Sequence, residues 1–427
     1  MKLYSTNNRN LEVDLKQAVL QSLAPDRGLY MPKNIPVLHK SLIQNLEQFS
    51  IQEIAFHVCS ALFEDSIGAN DLMEIIQKSI TFPAPVVPIA PNISTLELFH
   101  GPSLAFKDFG ARFMAQLMAY YNRGEKNEIT ILVATSGDTG GAVASGFYNT
   151  PGIEVVILYP SGKVSEIQEL QLTTLGKNIT TCEIEGTFDD CQKIVKSSFL
   201  DEDLNKKYNL SSANSINIAR LIPQSFYFFE AYKQKLTDKE LVVCVPSGNF
   251  GNLTAGLLAE KMGLPIKHFI AATNVNKVVP EYLQTGEYNP IKSISTLSNA
   301  MDVGDPSNFV RIKELYPSLE KMKSKIIGAW YSDDQVKEAI LEVYKTYNYT
   351  LDPHGAIGYL ACKDQLSKQL NEYIFLETAH PCKFMDTVES SIQDEIDIPE
   401  SIKALREKDM FKQKLPNNFE AFKDWLL

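Results

Sequence analysis

The sequence has little of what marks disulfide-bonded, membrane-spanning or nucleic-acid-binding proteins. Its six cysteines are scattered without a Cys-x-x-Cys pair, which argues against both a disulfide framework and a zinc site. No stretch approaches the roughly 20 apolar residues that span a bilayer, and the amino terminus lacks the apolar core of a signal peptide. The net charge of −11, without a cluster of lysine and arginine, argues against a phosphate-backbone partner. We therefore expect a cytoplasmic protein without a membrane or nucleic-acid partner.

The length and patterning predict several packed units. The 427 residues exceed one ordinary domain, and 44% are hydrophobic, as in globular proteins. Residues 1–95 show helical patterns, for example at 11–23 and 51–63, with no obvious strand alternation, and they include a proline cluster at 82–88. Short β-branched runs then alternate with helical stretches, which predicts an α/β fold with parallel strands. The main predicted strands are 129–134, 154–159, 178–184, 241–245, 266–271, 326–330 and 373–376.

Two of these strands run into glycine-rich turns that open helices. The turns are Ala-Thr-Ser-Gly-Asp-Thr-Gly-Gly at 134–141 and Val-Pro-Ser-Gly-Asn-Phe-Gly-Asn at 245–252. Free amides at a helix start attract negative charge, and glycine permits close approach of a ligand. Neither turn matches the nucleotide-binding P-loop or the dinucleotide fingerprint. One such turn is as often an ordinary strand-to-helix connection, but two together favour a phosphorylated ligand.

Lys107 lies at the start of a predicted amphipathic helix, in the sequence Ala-Phe-Lys-Asp-Phe-Gly. Desolvation among aromatic residues and the positive end of the helix dipole would both disfavour its protonated form. A lysine that forms a Schiff base needs that property. Without further context, a solvated lysine paired with Asp108 is the more common explanation of the pattern.

Two more patterns offer polar groups to an anion. If the segment from Asn214 to Arg220 is helical, both residues lie near Asn217, and amide and guanidinium donors suit a phosphate. Thr378 follows the predicted strand 373–376, at the sheet edge where ligands of α/β proteins bind. Taken alone, the first pattern is more often a polar helix surface, and Thr378 a strand terminator or helix cap. No histidine spacing predicts a metal site.

Together with Gly-Leu-Tyr-Met-Pro at 28–32 and Leu-Ser-Asn-Ala-Met-Asp-Val-Gly at 297–304, these patterns resemble the threonine synthase family. The family belongs to the fold type II, tryptophan-synthase-β-like pyridoxal-phosphate enzymes, and the resemblance covers nearly the whole chain. It implies two open parallel-rich sheets with flanking helices and a mainly helical amino-terminal domain at 1–95. It further implies a catalytic region at 96–385, with pyridoxal phosphate between two α/β subdomains, and a helical tail at 386–427 packed on that region.

The resemblance also implies a reaction and the residues that serve it. O-Phospho-L-homoserine and water would be converted to L-threonine and phosphate, in a monomer without a metal. Lys107 would carry the cofactor as a Schiff base and later transfer protons, and Thr378 would face the pyridine nitrogen. The implied cradle for the cofactor phosphate consists of Ser247, Gly248, Asn249, Phe250, Gly251 and Asn252. The implied substrate contacts are Thr135, Ser136, Thr139, Asn214 and Arg220.

Asp138 departs from a pattern seen in many relatives, which have asparagine at this position. An asparagine can donate a hydrogen bond to the ring oxygen of the cofactor, whereas an ionised aspartate cannot. Asp138 is therefore a candidate cofactor contact whose role the sequence leaves open.

Two other functions remain compatible with the sequence. A threonine or serine dehydratase of the same cofactor class would share Lys107 and the phosphate cradle, but its substrate has no phosphate for Arg220 to hold. A noncatalytic protein that binds a small anionic ligand would have two lobes and anion-binding loops without a covalent cofactor. The first rival is separated by its use of phosphohomoserine, and the second by the absence of a coloured, reducible adduct on Lys107.

Overall fold

The computed structural model describes residues 1–367 and 369–427, and its amino-terminal unit combines helices with a small sheet. The elements of this unit are β1 (Lys2–Ser5), β2 (Glu12–Asp14), α1 (Leu15–Gln21), β3 (Tyr30–Pro32), α2 (Lys40–Gln44), α3 (Ile51–Phe63) and α4 (Ala69–Ser79). β1 lies between β2 and β3 and is antiparallel to both. The helix predicted at 51–63 is confirmed. The helix predicted at 11–23 is wrong in its first turn, because β2 occupies 12–14 and Asp14 caps α1 by accepting from the Gln17 amide at 2.8 Å.

Two larger sheets form the rest of the protein. Their strands are β4 (Val86–Ala90), β5 (Ile93–Glu97), β6 (Ile129–Ala134), β7 (Ile153–Pro160), β8 (Ile179–Glu185), β9 (Asn209–Ser211), β10 (Leu241–Pro246), β11 (Ile266–Thr273), β12 (Ile326–Trp330), β13 (Glu372–Glu377) and β14 (Gln413–Pro416). One sheet has the order β12-β11-β10-β13-β5-β4 and is parallel except for the edge strand β4. The other has the order β14-β8-β7-β6-β9 and is wholly parallel. The predicted α/β class with two open parallel-rich sheets is confirmed.

Helices connect the strands and cover both sheets. They are α5 (Lys107–Asn122), α6 (Asp138–Phe147), α7 (Glu166–Thr173), α8 (Phe188–Leu200), α9 (Glu202–Lys207), α10 (Ile218–Leu221), α11 (Phe226–Lys233), α12 (Gly251–Lys261), α13 (Val278–Thr285), α14 (Phe309–Leu315), α15 (Leu319–Lys323), α16 (Asp333–Tyr347), α17 (Pro353–Leu366), α18 (Met385–Ile392), α19 (Glu400–Lys403) and α20 (Phe419–Leu426). Across the described ranges, no helix is both long enough and apolar enough to cross a bilayer.

The amino-terminal unit shares one hydrophobic core with the larger sheets. Leu3 and Val58 are buried in the same cluster as residues of α5 and α11, and the Phe63 and Phe113 rings lie 6.3 Å apart. The predicted boundary at residue 95 falls inside β5, which pairs with β13. We therefore propose a boundary in the proline segment between α4 and β4. The tail predicted as helical from residue 386 also contributes a strand, because β14 pairs with β8.

Candidate functional site

The candidate site lies where strands of both larger sheets end. β6 is followed by the first glycine-rich turn, β10 by the second, and β13 by Thr378. The amide of Phe106 donates to the carbonyl of Thr378 at 2.9 Å, which holds the start of α5 against the end of β13. Since the carboxyl ends of parallel strands are the usual ligand-binding edge of open α/β sheets, these strand ends form the candidate site.

Lys107 is the first residue of α5, and its side chain is only 16% exposed. Its Nζ lies 3.9 Å from Oδ2 of Asp138, which is the first residue of α6. Burial lowers the pKa of Lys107 to about 8; Asp138 opposes this shift, and the charges of Lys383 and Arg220 reinforce it. The alternative of a solvated lysine paired with Asp108 is not observed, because Asp108 is buried and accepts from the Ser103 amide at 2.8 Å.

Lys383 is a site residue that the sequence reasoning missed. Its side chain is 0% exposed, its Nζ lies 2.8 Å from Oδ1 of Asp138, and it donates to the carbonyl of Ser103 at 2.8 Å. Gln168 Nε2 donates to the same Asp138 oxygen at 3.1 Å. Burial raises the pKa of Asp138, but Lys383 and Lys107 outweigh burial and hold that pKa well below its usual range. The only sequence signal was a lysine in the apolar run Pro-Cys-Lys-Phe, soon after the end of β13.

The turn at residues 247–252 is braced by its own side chains. Ser247 Oγ donates to Asn252 Oδ1 at 2.8 Å, and Asn252 Nδ2 donates to the Pro246 carbonyl at 2.8 Å. Phe250 has a left-handed φ of 59° immediately before α12 and makes no side-chain hydrogen bond to that helix start, while Asn252 Oδ1 accepts from the Leu253 amide at 2.9 Å. A Cβ on Gly248 would lie 2.5 Å from the Ala300 carbonyl oxygen, so only glycine fits there. The geometry suits a bound anion.

The turn at residues 135–140 uses one of its predicted substrate contacts to hold itself together. Thr135 Oγ1 accepts from the amides of Gly137 at 3.0 Å and Gly140 at 2.8 Å. Gly137 has a φ of 136°, and a Cβ there would lie 2.4 Å from the Gln168 side chain. Ser136 is exposed and Thr139 is partly exposed. The roles of Thr135, Ser136 and Thr139 in holding substrate stay predictions.

The segment from Asn214 to Arg220 is not helical throughout, so the condition for a shared helical face is not met, and the substrate-binding roles of Asn214 and Arg220 stay predictions. α10 begins only at Ile218, because Asn217 caps it by accepting from the Ala219 amide at 2.9 Å. Asn217 Nδ2 donates to the Val19 carbonyl at 2.9 Å, so this side chain ties the site to the amino-terminal unit. Asn214 lies before the helix and is partly exposed. This segment still contacts the turn at residues 247–252, because Asn249 Nδ2 donates to Ser215 Oγ at 2.7 Å.

Arg220 is 2% exposed and lies against α5, where a Cβ on Gly110 would come within 2.9 Å of Arg220 Nε. Its Nη1 donates to the Ala213 carbonyl at 2.6 Å. Nε has no hydrogen-bond partner among the residues that the structure describes. Burial lowers the pKa of Arg220 to about 10, and Asp108 partly offsets this effect. The guanidinium therefore stays cationic at neutral pH, and its Nε N–H is a donor without an acceptor among the described residues.

Thr378 is backed by a buried acidic network that sequence reasoning did not foresee. The Asp352 amide donates to Glu377 Oε1 at 2.6 Å, and the Ala379 amide donates to Asp352 Oδ2 at 3.2 Å. His354 Nδ1 lies 2.6 Å from Asp352 Oδ1. Burial raises the pKa of Glu377 well above its usual range, with Asp352 adding to the shift. This network fixes the backbone on both sides of Thr378, while the role of its hydroxyl stays a prediction.

Comparison with known proteins agrees with this geometry over the full chain. Three family models match: pyridoxal-phosphate dependent enzyme at residues 94–376, threonine synthase N terminus at 2–80, and threonine synthase, C-terminal at 355–426. Threonine synthase of Escherichia coli strain K12 is 44% identical over 430 residues, covering 100% of this chain and 99% of that protein.

Two solved structures extend the likeness to three dimensions. The crystal structure of threonine synthase from Escherichia coli superimposes with a TM-score of 0.91 at 43% identity, covering 100% of this chain and 99% of the other. Pyridoxal-phosphate-bound threonine synthase from Brucella melitensis superimposes with a TM-score of 0.94 at 33% identity, covering 100% and 98%. The chain therefore belongs to the threonine synthase family of pyridoxal-phosphate-dependent enzymes.

Proposed function

We propose that this protein converts O-phospho-L-homoserine and water to L-threonine and phosphate, with pyridoxal phosphate bound through Lys107. The proposal rests on two cations of different chemistry that lie at α5, Lys107 and Arg220. Burial lowers the pKa of the Lys107 amine, and the buried guanidinium of Arg220 has an Nε without a hydrogen-bond partner among the described residues. Full-length similarity to threonine synthases supports the same reaction.

The residues present fit pyridoxal phosphate. The start of α12, where the capping residue Phe250 makes no side-chain hydrogen bond, offers backbone amides to a phosphate, and Gly248 allows the turn to lie close to its neighbours. Because burial lowers the pKa of Lys107 to about 8, far more of its amine is unprotonated near neutral pH than in an ordinary lysine, whose pKa is about 10.4. When bound, the cofactor supplies an electron sink for charge that develops on the substrate.

The side chains of the protein would then bind, orient and move protons. Lys107, once the substrate amine displaces it, can take the proton from the substrate Cα and act again at Cβ. Arg220 would hold the substrate phosphate and stabilise charge on it as it leaves. Asn214, Ser136 and Thr139, which are at least partly exposed, would bind the remaining polar groups of the substrate. We also propose a cytoplasmic monomer, which cell fractionation and light scattering would test.

The direct test is release of phosphate from O-phospho-L-homoserine, with L-threonine identified as the product. Borohydride reduction of the cofactor-loaded protein should fix the label on Lys107. Formation of 2-oxobutyrate from L-threonine at a higher kcat/KM would instead support the dehydratase alternative. A colourless protein that stays unlabelled after incubation with pyridoxal phosphate and borohydride would contradict the proposal.

Arg220→Ala separates substrate binding from cofactor binding. We expect kcat/KM for phosphohomoserine to fall by on the order of 10²–10³-fold, because a donor to the leaving phosphate is lost. The affinity for pyridoxal phosphate should be unchanged. Arg220→Lys keeps the charge but not the planar fork, so it should fall between the two proteins. Equal losses of substrate use and cofactor affinity in Arg220→Ala would count against the assigned role, and urea unfolding of each variant checks that the fold persists.

A further inference from the structure

The carboxylate of Asp138 is shared between two lysines. Lys383 Nζ contacts Oδ1 at 2.8 Å, while Lys107 Nζ lies 3.9 Å from Oδ2, beyond hydrogen-bond range. Gln168 also donates to Oδ1, at 3.1 Å, so that oxygen already has two strong donors. The carboxylate is therefore oriented by Lys383 and Gln168 and not by Lys107.

Lys383 is itself rigidly placed. It is fully buried, and its second contact is the carbonyl of Ser103, which also accepts from Gln171 Nε2 at 3.0 Å. The Ser103 amide in turn donates to Asp108, the residue after Lys107. A buried cation with fixed partners on two elements has little freedom to leave its carboxylate.

We propose that Lys383 is a positioning residue for Lys107: it neutralises Asp138 and holds its carboxylate out of hydrogen-bond contact with Lys107, so that the Lys107 amine can release its proton. The proposal deepens the proposed function, because it rests on Lys107 being the lysine that reacts with the cofactor. Without Lys383, Asp138 would be a full counter-ion for Lys107, and the protonated, unreactive amine would be favoured.

Other charged groups around the pair work in known directions. Arg220 reinforces the loss of the proton from Lys107. His354 adds a small positive influence on Asp138, in the same direction as the two lysines. Burial raises the pKa of Asp108 to about 6, and the positive charge of Lys383 partly opposes this rise. None of these groups takes the place of Lys383 as the direct contact of Asp138 within the described residues.

The distance between the two lysine amines sets the expected shift in the pKa of Lys107. Because both amines lie against one carboxylate, they are at most about 9 Å apart, and at an effective dielectric constant of about 20 their repulsion shifts a pKa by on the order of one unit. In Lys383→Met, the pH midpoint for reaction of Lys107 should therefore rise by about one unit. At neutral pH that change corresponds to a reaction about tenfold slower.

The test follows Lys107 without relying on turnover. Full-length protein freed of cofactor is labelled with a trace of acetic anhydride across a pH series, and acetylation of Lys107 is measured by peptide mass mapping. The rate of pyridoxal-phosphate capture, followed by visible absorbance, gives a second profile on the same samples. Lys383→Arg keeps the charge and should keep the midpoint. Lys233→Met removes another largely buried lysine, one paired with Glu230 at 2.7 Å, and should leave the midpoint unchanged.

Asp138→Asn provides a second route that does not depend on Lys383→Met being stable. Asp138→Asn with Lys383→Met removes both charges, so its midpoint should return to or below that of the unsubstituted protein. Asp138→Asn alone should have a still lower midpoint, since Lys383 then repels Lys107 without a counter-ion between them. Equal midpoints in these two variants, or an unchanged midpoint in Lys383→Met, would overturn the proposal and leave Lys383 a structural cation. Failure of the proposed function itself would show in the unsubstituted protein, as absent phosphate release.

Discussion

Gly248→Ala tests whether the turn at 247–252 is held rigidly for an anion. The added Cβ would lie 2.5 Å from the Ala300 carbonyl oxygen and 2.8 Å from Met301 Cα, both of them backbone atoms. Ordinary contact begins near 3.4 Å, so one backbone segment must move by about 0.9 Å. Overpacking of this kind costs on the order of 1–3 kcal/mol.

The strain should appear in cofactor affinity, because the turn relieves it by moving away from the geometry that binds phosphate and must move back on binding. At about 1.4 kcal/mol for each factor of ten, the Kd for pyridoxal phosphate should rise roughly 5- to 150-fold. The Kd is measured by absorbance titration of cofactor-free protein.

Gly251→Ala is a matched comparison in the same turn, since the nearest atom to its Cβ would be Asn308 Nδ2, at 3.4 Å; it should weaken binding less. Gly68→Ala, where the nearest atom is Asp71 Oδ2 at 3.6 Å, controls for the substitution itself and should not change the Kd. An unchanged Kd in Gly248→Ala would refute the argument that the segment at 300–301 fixes the turn.

Two further predictions concern stability. Asp302 accepts from Thr296 Oγ1 at 2.7 Å and Asn274 Nδ2 at 2.9 Å. Asp302→Ala should leave these largely buried donors without an acceptor and lower the free energy of unfolding in urea by about 2–3 kcal/mol. It should also weaken pyridoxal-phosphate binding through the adjoining segment at 300–301, and an unchanged Kd would contradict this second expectation. Ser50→Ala removes the reciprocal cap with Glu53 on α3 and should cost about 1 kcal/mol without any change in Kd; a loss much larger than this would mean that Ser50 does more than cap.

Elements whose formation depends mainly on residues adjacent in the sequence were predictable. β6 and β12 occupy the predicted residues, and α5 begins at Lys107 as expected. These segments combine strong periodicity with clear turn or helix-start signals. β1, β2, β3 and β9 were missed because strands of three or four residues offer too few positions for alternation to be seen.

Errors at the site have a different cause. The Asn214 to Arg220 segment would present one face only if it were helical, but an asparagine inside such a run competes for backbone amides, and Asn217 starts the helix instead. Lys383 could not be identified as a site residue, because its proposed role depends on a contact with Asp138 that only the tertiary structure creates. A buried lysine and a surface lysine look alike in a single sequence.

The charge balance of the cleft explains why a protein with a net charge of −11 can serve an anionic substrate. The positive charges of Lys383 and Arg220 lower the pKa of Lys107, and Lys383 and Lys107 together keep the Asp138 carboxylate ionised. Burial raises the pKa of the neighbouring acid, Asp108, to about 6, so this carboxyl is mostly ionised at neutral pH. Even with both acids ionised, three cations face two anions when Lys107 is protonated. When Lys107 gives up its proton to react, the remaining positive charge resides on Lys383, already committed to Asp138, and on Arg220. The uncommitted cation is then the one proposed to meet the substrate phosphate, which makes Arg220 and not Lys383 the residue whose loss should discriminate against a phosphorylated substrate.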